Sequence, residues 1–447
     1  MRENRIVIEP FKFISYIELS AVKSVGQHSV VKVKGIIDKV LADKYIEMMG
    51  SDLWIKIILQ NDDINMIFFQ GVVINLHIKN ENSLHIMEFE AKSGSCLLDC
   101  SKHIRSFQTD GISYLQMINT CLGAYTNSFC NMEMDKNNEI HEIVLQYQES
   151  DWEFFNRLAG KQRTVVYPDN LFTGIRINFG LEERLNTLIM ESNEYSIEKD
   201  STGIIYIVTD RENHEVGDSV IFLGKKLFIF QIVSQMKGNE LYHKCYLRAR
   251  EEIGLDENKN KKLQGASLQA VVTDVRGDMV QVKIINDENV KNAGFRWYTY
   301  ATVYSTPDGT GWYCMPEVGD RVRMVFPDTD EKNAYIVSSV HMECGQDRAK
   351  PENKSFMNKQ RKEILFTPDA IILRNNNGLA LEMKDEEGIK LISNKDIILQ
   401  AEDSISVRSR NADISMEADN ALSMKQGSTA LSLSNTIKMS GGKINMN

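Results

Sequence analysis

The C-terminal part of the sequence alternates apolar and polar residues, without a proline, from Asp396 to Asn447. Pairs of apolar residues separated by one residue recur about every eight residues, a period typical of short strands stacked along one axis. Because alternate side chains of a strand point to opposite faces, each strand offers only two or three apolar side chains on one face. One chain therefore supplies a single apolar wall, and something else must cover it.

Three intertwined copies of the chain would turn these walls inward and leave no open strand edge. At one strand spacing of about 4.8 Å per repeat, such a rod would be roughly 38 Å long. A disordered tail and a single-chain solenoid are the alternatives. The residues predicted to form the core of a trimeric needle are Ile397, Leu399, Ile405, Val407, Ile414, Met416, Leu422, Met424, Leu431, Leu433, Ile437 and Met439.

Length and charge limit the class of protein. A chain of 447 residues has room for roughly two to four domains. A formal net charge of -10 argues against a nucleic-acid partner, which requires a dense basic face. The N-terminus lacks the apolar core of a signal peptide, and no apolar run is long enough to span a membrane. We therefore expect the protein to be made and folded in the cytoplasm.

The sequence has no motif that indicates a catalytic or a metal-binding site. Its seven cysteines include no CxxC pair, and its eight histidines include no HExxH motif, so neither a metal site nor a cofactor is predicted. The carboxylates Glu149, Asp151 and Glu153 flank a predicted helix start, where the helix dipole favours negative charge. No catalytic residue is predicted, and the expected protein is not an enzyme.

The N-terminal part is predicted to be mainly β with two helices. Four β-branched runs there have the patterning of a barrel or sandwich, namely Ser29–Ile37, Asp52–Gln60, Gln70–Asn80 and Leu84–Ala91. One helix is predicted over Gly111–Tyr125. The other begins at Ser150, which forms a capping-box spacing with Glu153. Further strands are predicted up to about Ala249, including Gly203–Val208 and Asp218–Gln231. The polar segment Glu251–Gly265 is predicted to be a domain boundary.

Short strands separated by turns follow, and their spacing favours a small closed barrel of five strands. The turn-rich sequence GTGWYC at 309–314 opens no helix and is predicted to be a turn rather than a phosphate loop. The predicted domains are a first domain at 1–262, the small barrel at 263–345, a polar linker at 346–363 and the alternating tail at 364–447.

Two motifs carry a resemblance to a known family. The segment Arg296–Val340 resembles the oligonucleotide/oligosaccharide-binding (OB) barrel of VgrG-type spike proteins of contractile injection systems, through Trp297, Trp312, Pro316, Gly319 and Asp320. The two tryptophans are expected to pack within the barrel or the neck of a trimer. Upstream, YQESDWEFFNRL resembles the hub motif of the same family. The residues of this hub motif are Trp152, Phe155, Arg157 and Leu158.

The resemblance implies a hub domain with two tube-like β-barrels and short helices, an OB-fold barrel, and a C-terminal intertwined trimeric β-helix needle. It implies a homotrimeric spike that adapts the inner tube of a type VI secretion or phage-tail-like machine to a needle and pierces a target membrane. The implied partners are an Hcp-like inner tube protein, baseplate proteins, effector cargo and a PAAR-like tip protein bound at Ile444 and Met446. A trimeric tail fibre or adhesin that binds a surface ligand is the alternative, although a fibre has no need of a tube adaptor.

Overall fold

The computed structural model describes residues 5–49, 53–60, 65–133, 138–181, 187–238, 240–339, 350–440 and 442–443. It divides into two compact units, Met1–His341 and Met342–Asn447. Both units are built mainly of β-strands, as the sequence predicts. Among the described residues, no helix is long and apolar enough to cross a membrane.

The first unit contains most of the strands and the three α-helices of the described residues. The helices are α1 (Lys39–Glu47), α2 (Tyr114–Leu122) and α3 (Asp151–Lys161). The strands are β1 (Arg5–Glu9), β2 (Ser15–Ser24), β3 (Val30–Ile37), β4 (Trp54–Gln60), β5 (Asn65–Glu81), β6 (Leu84–Ser93), β7 (His103–Phe107), β8 (Ile112–Ser113), β9 (Ser128–Met132), β10 (Glu139–Ile140), β11 (Val144–Glu149), β12 (Val166–Pro168), β13 (Ile175–Phe179), β14 (Leu188–Ile189), β15 (Tyr195–Lys199), β16 (Ile204–Asp210), β17 (Ser219–Phe222), β18 (Lys225–Lys237), β19 (Glu240–Arg248), β20 (Ser267–Arg276), β21 (Met279–Ile284), β22 (Trp297–Thr299), β23 (Arg321–Val325) and β24 (Tyr335–Val337).

One sheet dominates the first unit, with twelve strands among the described residues. Its order is β1-β4-β5-β6-β3-β2-β18-β19-β16-β15, while β17 lies beside β18 and β14 beside β17. The pairing of β2 with β18 joins an N-terminal half to a second half built from later strands. Each half covers its own apolar cluster. Phe69 and Phe89 belong to the first cluster, and Ile229 and Leu247 belong to the second.

The predicted strands of this region are present because their apolar residues alternate with polar ones. In β3, for example, every second side chain is buried and the intervening ones are more exposed. That pattern is the one expected of a strand with one face on a core. The predicted strand at 218–231 is instead a hairpin, β17 and β18, because Gly224 adopts a positive φ of 74° between them.

Both predicted helices are present and both begin with a capping box. In α3, the Ser150 side chain accepts a hydrogen bond from the Glu153 amide, and the Glu153 side chain bonds the Ser150 amide. Helix α2 is shorter than predicted, since Ile112 and Ser113 pair with β10 before the helix begins. The two helices, with β9, β12 and β13, enclose a third apolar cluster that includes Phe155.

The last strands of the first unit form a separate five-stranded sheet, in the order β22-β21-β20-β23-β24. An isolated bridge between Tyr300 and Ile336 joins the segment after β22 to β24. The core of this barrel region includes Ile143 and Leu145, which come from the start of β11 and the residue before it. Residues of the hub region (5–262) thus complete the apolar core of the barrel region (263–339).

The polar segment Glu251–Gly265 does not behave as the free boundary that its composition predicts. Ile253 and Leu263 are buried, and the Asn260 side chain donates a hydrogen bond to the Tyr147 carbonyl at 2.8 Å. A few apolar residues spaced along a polar segment are enough to hold it against the two cores that it joins.

The second unit is built of short antiparallel strands. Five of them form one meander, β25 (Lys354–Met357), β26 (Glu363–Thr367), β27 (Ala370–Arg374), β28 (Ala380–Lys384) and β29 (Gly388–Ile392), and three form another, β30 (Leu422–Gln426), β31 (Thr429–Leu433) and β32 (Ile437–Ser440). The predicted linker at 346–363 is partly wrong. Lys354–Met357 forms a strand because its backbone pairs with β26 despite its polar composition.

Candidate functional site: the hub–barrel junction and the spike segment

The hub motif lies on α3, at the junction between the hub region and the barrel region. Trp152, Phe155 and Leu158 are buried in the cluster formed by the two helices. The ring of Trp152 also packs at a tilt against that of His28, with 4.6 Å between the ring centroids. The apolar residues of the motif therefore fix α3 in the hub.

Arg157 is the charged member of the motif and connects hub and barrel. Its Nε donates to both carboxylate oxygens of Glu149 at 2.8 and 3.1 Å, and its Nη1 donates to Glu331 Oε1 at 2.7 Å. Its Nη2 donates to the Leu145 carbonyl at 2.9 Å. Burial alone would lower the pKa of Arg157, but the two carboxylates raise it above its ordinary value. The guanidinium is thus a buried cation with two anionic partners.

A second buried polar network surrounds the start of α3. Asp151 is fully buried and forms an ion pair with Arg105. It also accepts hydrogen bonds from Gln146 Nε2 at 2.9 Å and from the Tyr125 hydroxyl at 2.7 Å. Burial, followed by the carboxylate of Asp151, raises the pKa of Tyr125 and keeps its hydroxyl protonated. Asp151 therefore ties α3 to β7 and to the end of α2.

Further polar contacts join the hub strand β7 to the barrel region. Asp287 accepts from the Ser106 amide at 3.1 Å and from the Ser106 hydroxyl at 2.6 Å. The Tyr298 hydroxyl donates to Gln108 Oε1 at 3.0 Å. These side chains are buried, where a satisfied hydrogen bond is costly to remove.

A Ser–His–Asp arrangement lies near this junction and was not predicted from the sequence. His28 Nδ1 lies 2.8 Å from Ser95 Oγ, and His28 Nε2 lies 2.8 Å from Asp99 Oδ2. Ser95 is 0% exposed, however, and its hydroxyl also lies 2.8 Å from that of Ser93. Asp99 accepts a further bond from Ser150 at the cap of α3. A substrate cannot reach this serine, so the arrangement supports the start of α3 rather than a nucleophilic reaction.

The OB motif supplies the turn before a barrel strand. Gly319 has a φ of 93°, which favours glycine, and its amide donates to the Val272 carbonyl at 2.8 Å. Asp320 closes the same turn, because its side chain accepts from the Glu317 amide at 2.8 Å. Pro316 is buried just before the turn. These residues have structural roles at the entrance to β23.

The two tryptophans of the OB motif differ in their environment. Trp297 is half-buried in β22 and pairs with Gln281. Trp312 is 61% exposed, so the expectation that it packs within the barrel is wrong. It lies on a loop that leaves the sheet, where the Tyr313 hydroxyl donates to the Gly277 carbonyl at 3.0 Å. A place for Trp312 in the neck of a trimer stays a prediction.

The spike segment, residues 393–421, contains no strand and has its apolar pairs exposed. The exposed fractions within it are Ile397 51%, Leu399 69%, Ile405 56%, Val407 63%, Ile414 51% and Met416 58%. The structure does not bring these six residues together in one chain. The predicted residues that follow do meet, in the pairs Leu422↔Leu433, Met424↔Leu431, Leu431↔Met439 and Leu433↔Ile437. The predicted tip residues Ile444 and Met446 lie outside the described residues.

The meander before the spike segment has an apolar groove of about 650 Å³. Leu373, Leu381, Leu391 and Ile397 contribute to its lining. Nothing else within the described part of this unit fills the groove. Among the described residues, no group of three or more His, Cys, Asp or Glu side chains is placed to hold a metal ion.

Comparison with known proteins bears on these features. Residues 268–341 match the family model described as the type VI secretion system/phage-baseplate injector OB domain. All five residues of the OB motif lie within this match. The predicted resemblance to VgrG-type spike proteins is confirmed. No curated protein matches the sequence of the chain.

Solved structures show that the fold of VgrG-type proteins extends beyond the OB domain. A chain of the lidded Francisella PdpA–VgrG complex is 9% identical, with a TM-score of 0.57 over 88% of this chain and 80% of that one. The half-lidded form of that complex gives 10% identity and a TM-score of 0.56, covering 88% of each chain. The E. coli c3393 protein, described as a component of the type VI secretion system with structural similarity to T4 tail proteins gp27 and gp5, is 12% identical. Its TM-score is 0.52 over 75% of this chain and 100% of that one.

The VgrG-type motifs in the sequence thus mark the junction, but they do not reveal all of its residues. Glu331, Asp287 and Asp151 carry the buried polar contacts, and none of them was predicted to do so. Glu331 and Asp287 are far along the chain from their partners, so no local spacing signals the contact. The sequence signal was Arg157 itself, because an arginine among the apolar residues of the hub motif needs a carboxylate nearby if it is buried.

Proposed function

We propose that the chain is the homotrimeric spike and hub at the tip of a contractile injection machine, either a type VI secretion system or a phage-tail-like particle. The main support for this proposal is the spike segment. Its apolar pairs keep a strand-like alternation over 393–421, yet they are exposed and have no strand partner within the described chain. The hub and OB regions that precede it have the fold of type VI secretion and phage-tail structures.

Physical chemistry supports three copies as the cover of the spike segment. Burying an Ile, Leu, Val or Met side chain contributes about 1.5–3 kcal/mol. A strand edge left open in water is a template for pairing with another chain. Intertwining three copies would cover the apolar pairs and close the strand edges in one step, and it would leave the charged residues outside.

The junction supports a mechanical role for the same trimer. A spike driven through an envelope must pass force from the hub to the needle without parting at the neck. In this chain, the shared apolar core around Leu145 and the buried pairs of Arg157 hold hub and barrel together. This function requires no bond chemistry, so we propose that the protein is not an enzyme.

The partners follow from the proposed position at the tip of the machine. An Hcp-like inner tube protein and baseplate proteins would bind the hub, and effector cargo would travel with the spike. A PAAR-like protein would cap the needle at Ile444 and Met446. Deletion of Gly441–Asn447 is then expected to abolish co-purification with that tip protein. The protein would lie in the cytoplasm until contraction delivers it outside or into the target cell.

Light scattering of the purified protein tests the proposal. The 51.0 kDa chain is expected to have about three times its own mass in solution, whereas a chain ending at Lys350 loses part or all of this assembly. A stable full-length monomer would contradict the proposed spike, because its apolar pairs would then need no other copy.

A further inference from the structure

The hub region contains a lysine whose whole side chain is buried. Lys23 lies on β2 and is 1% exposed, although lysine is rarely buried to this extent without a partner. Its Nζ donates to the Phe68 carbonyl at 2.9 Å and to Glu215 Oε1 at 2.6 Å. The same nitrogen lies 4.6 Å from the centroid of the Phe68 ring. The amino group of Lys23 is therefore held in one position away from water.

The carboxylate of Glu215 connects this lysine with an asparagine. The side chain of Glu215 is largely buried, and its backbone amide is fixed by a hydrogen bond to Asp218 Oδ2 at 2.9 Å. The Asn170 side chain donates a hydrogen bond to the Glu215 carboxylate and favours its ionised form. Two groups that hydrogen-bond one carboxylate lie within a few ångströms of each other. The side chains of Lys23 and Asn170 therefore converge on Glu215.

Asn170 is also held in place and has an unpaired oxygen. It is 2% exposed, and its backbone carbonyl accepts a hydrogen bond from the Gln70 amide of β5 at 2.8 Å. Its side-chain Oδ1 is buried and has no hydrogen-bond partner among the described residues. Leaving a buried amide oxygen unpaired costs free energy. An ion pair between Lys23 and Glu215 gives no reason for this arrangement.

We propose that the Lys23 amine and the Asn170 carboxamide condense into an intramolecular isopeptide bond, with Glu215 as the catalytic base and acid. An amine, a carboxamide and a carboxyl group, all shielded from water, are the three groups that this reaction requires. The reaction occurs once in each chain, so it involves no turnover of a substrate. It does not depend on the proposed trimer.

The protonation of Glu215 suits this role. Burial raises the pKa of Glu215 above its ordinary value, although Lys23 opposes the shift. Burial penalises both charges of an ion pair, so a proton can pass from Lys23 Nζ to the carboxylate and leave a neutral amine. A half-turn of the Asn170 amide would then direct Oδ1 towards the acid proton of Glu215. That contact would pair the buried oxygen and polarise Cγ for attack.

Atoms and charges balance within the three side chains. Glu215 takes one proton from the Lys23 ammonium, and the freed lone pair on Nζ attacks Asn170 Cγ. A C–N bond forms, and the electron pair of the carbonyl moves to Oδ1. Glu215 passes its proton to Nδ2 and takes the second proton from Nζ. The carbonyl then reforms as the Cγ–Nδ2 bond breaks, and the released ammonia carries this second proton away as ammonium.

The surroundings of the three groups favour the reaction. Their side chains are fixed by packing and hydrogen bonds, and holding reacting groups in place lowers the entropy that the step must lose. The aromatic ring of Phe68 covers the amine, and the His243 ring packs against Phe68 at 5.9 Å. Exclusion of water protects the finished amide from hydrolysis.

The bond would join parts of the hub that are far apart in the sequence. Lys23 pairs with Ile232 of β18, so it lies where the two halves of the large sheet meet. Asn170 follows β12, which belongs to the small sheet beside the two helices. A covalent bond between them would hold the two sheets together under a load that separates hydrogen bonds.

Intact-mass spectrometry of the full chain tests this proposal directly. The purified protein, denatured before measurement, is expected to weigh less than its sequence predicts by the mass of one ammonia molecule. A protease digest should contain a branched peptide that joins the segment of Lys23 to the segment of Asn170. The full sequence mass would overturn the proposal and leave Lys23 and Glu215 as an ordinary buried ion pair.

Variants of the three groups give distinct masses. Lys23→Met and Glu215→Gln are expected to keep their full masses, since one lacks the nucleophile and the other lacks the base. Asn170→Asp can still condense by losing water, and its product should have the same mass as the condensed natural chain. The matched control Lys32→Met removes an exposed lysine of the neighbouring strand β3 and should still lose ammonia.

A second source of ammonia loss is distinguishable. An asparagine followed by glycine, as at Asn377–Gly378, can lose ammonia by cyclising on its own backbone. That loss would persist in Lys23→Met and give no branched peptide, and this outcome would overturn the proposal. Because the mass is measured on the denatured chain, the result is independent of the trimer. Light scattering can therefore contradict the proposed spike while the isopeptide bond is present, or the reverse.

Discussion

At the scale of single residues, buried charges decide how the hub region joins the barrel region. Arg157 has two carboxylate partners, Glu149 and Glu331, and all three side chains are buried. Removing one member of such a group leaves an uncompensated charge away from water, which costs far more than losing an exposed ion pair. Loss of Arg157 is therefore expected to weaken the contact between the hub region and the barrel region.

Substitution of this residue, Arg157→Met, is expected to lower the free energy of unfolding by about 3–5 kcal/mol, since two buried carboxylates lose their cation. Urea denaturation of the full chain at fixed protein concentration measures the change. The control Lys102→Met breaks the exposed ion pair with Glu153 and should cost at most about 1 kcal/mol. Equal effects of the two variants would contradict the role assigned to Arg157.

His243 predicts a pH dependence of stability. Burial, followed by the charge of Lys23 and then of His214, lowers its pKa to about 4, while Asp210 opposes the shift. Between roughly pH 6.5 and pH 4 the unfolded chain binds a proton at this histidine and the folded chain does not. Its contribution to stability is therefore present near neutral pH, is lost as the pH falls from about 6.5 towards 4, and changes little below that.

The measurement compares the protein with its His243→Asn variant by thermal unfolding from pH 7 to pH 4. The difference in stability between the two should shift in favour of the variant by up to about 3 kcal/mol across this range. The comparison removes the contribution of the carboxylates, which titrate in both proteins. A constant difference would show that His243 is not buried in its neutral form.

At the scale of elements, the spike segment has the alternating sequence of β-strands but forms no strand in the structure. Its alternation is as regular as that of the hairpins that follow it, yet residues 393–421 form no ladder within the described chain. A ladder requires a partner, and the neighbouring repeats of the same chain do not supply one here. The proposed trimer would supply this partner from the other two copies of the chain.

Placing a charge on the apolar face of this segment should block assembly. Ile405→Asp or Leu422→Asp would put three carboxylates around one axis, and burying an unpaired charge is costly. Light scattering should show loss of the trimer in either variant. The control Ser406→Asp adds the same charge on the opposite face and should leave the mass unchanged. A trimer of normal thermal stability in the Ile405 variant would contradict the register.

At the scale of the whole molecule, the first unit combines two predicted domains. Ile143 and Leu145, from the hub region, lie in the core of the barrel region, and the residues between the two regions are partly buried. A boundary drawn at residue 262 describes the change of sheet, but it does not separate two independent cores. Hub and barrel should therefore unfold together.

Calorimetry of the full chain checks this cooperativity. Phe154→Ala in the hub and Phe326→Ala in the barrel each remove a fully buried ring and should cost about 3–5 kcal/mol. Both variants are expected to lower the temperature of the same transition. A separate early transition in the Phe326 variant alone would show that the barrel unfolds independently of the hub.

The sequence by itself determined the mainly β character, the capped helix at Ser150, the OB motif and the alternating tail. These features depend on residue type and short spacing, because strand periodicity, helix caps and turns are local. Local patterns also gave β3, β4 and β6 to within two residues and β5 to within five, but they did not give β1 or β2. They did not give the hairpin turn at Leu223 and Gly224, where two consecutive positive φ angles reverse the chain.

Only the tertiary structure decided which distant residues meet. Arg157 reaches Glu331, and β2 pairs with β18, although neither pair of partners is close in the chain. The physical reason is that contacts between residues far apart in the chain depend on how whole elements pack and on which edges remain open. No spacing within a short stretch of sequence records that arrangement.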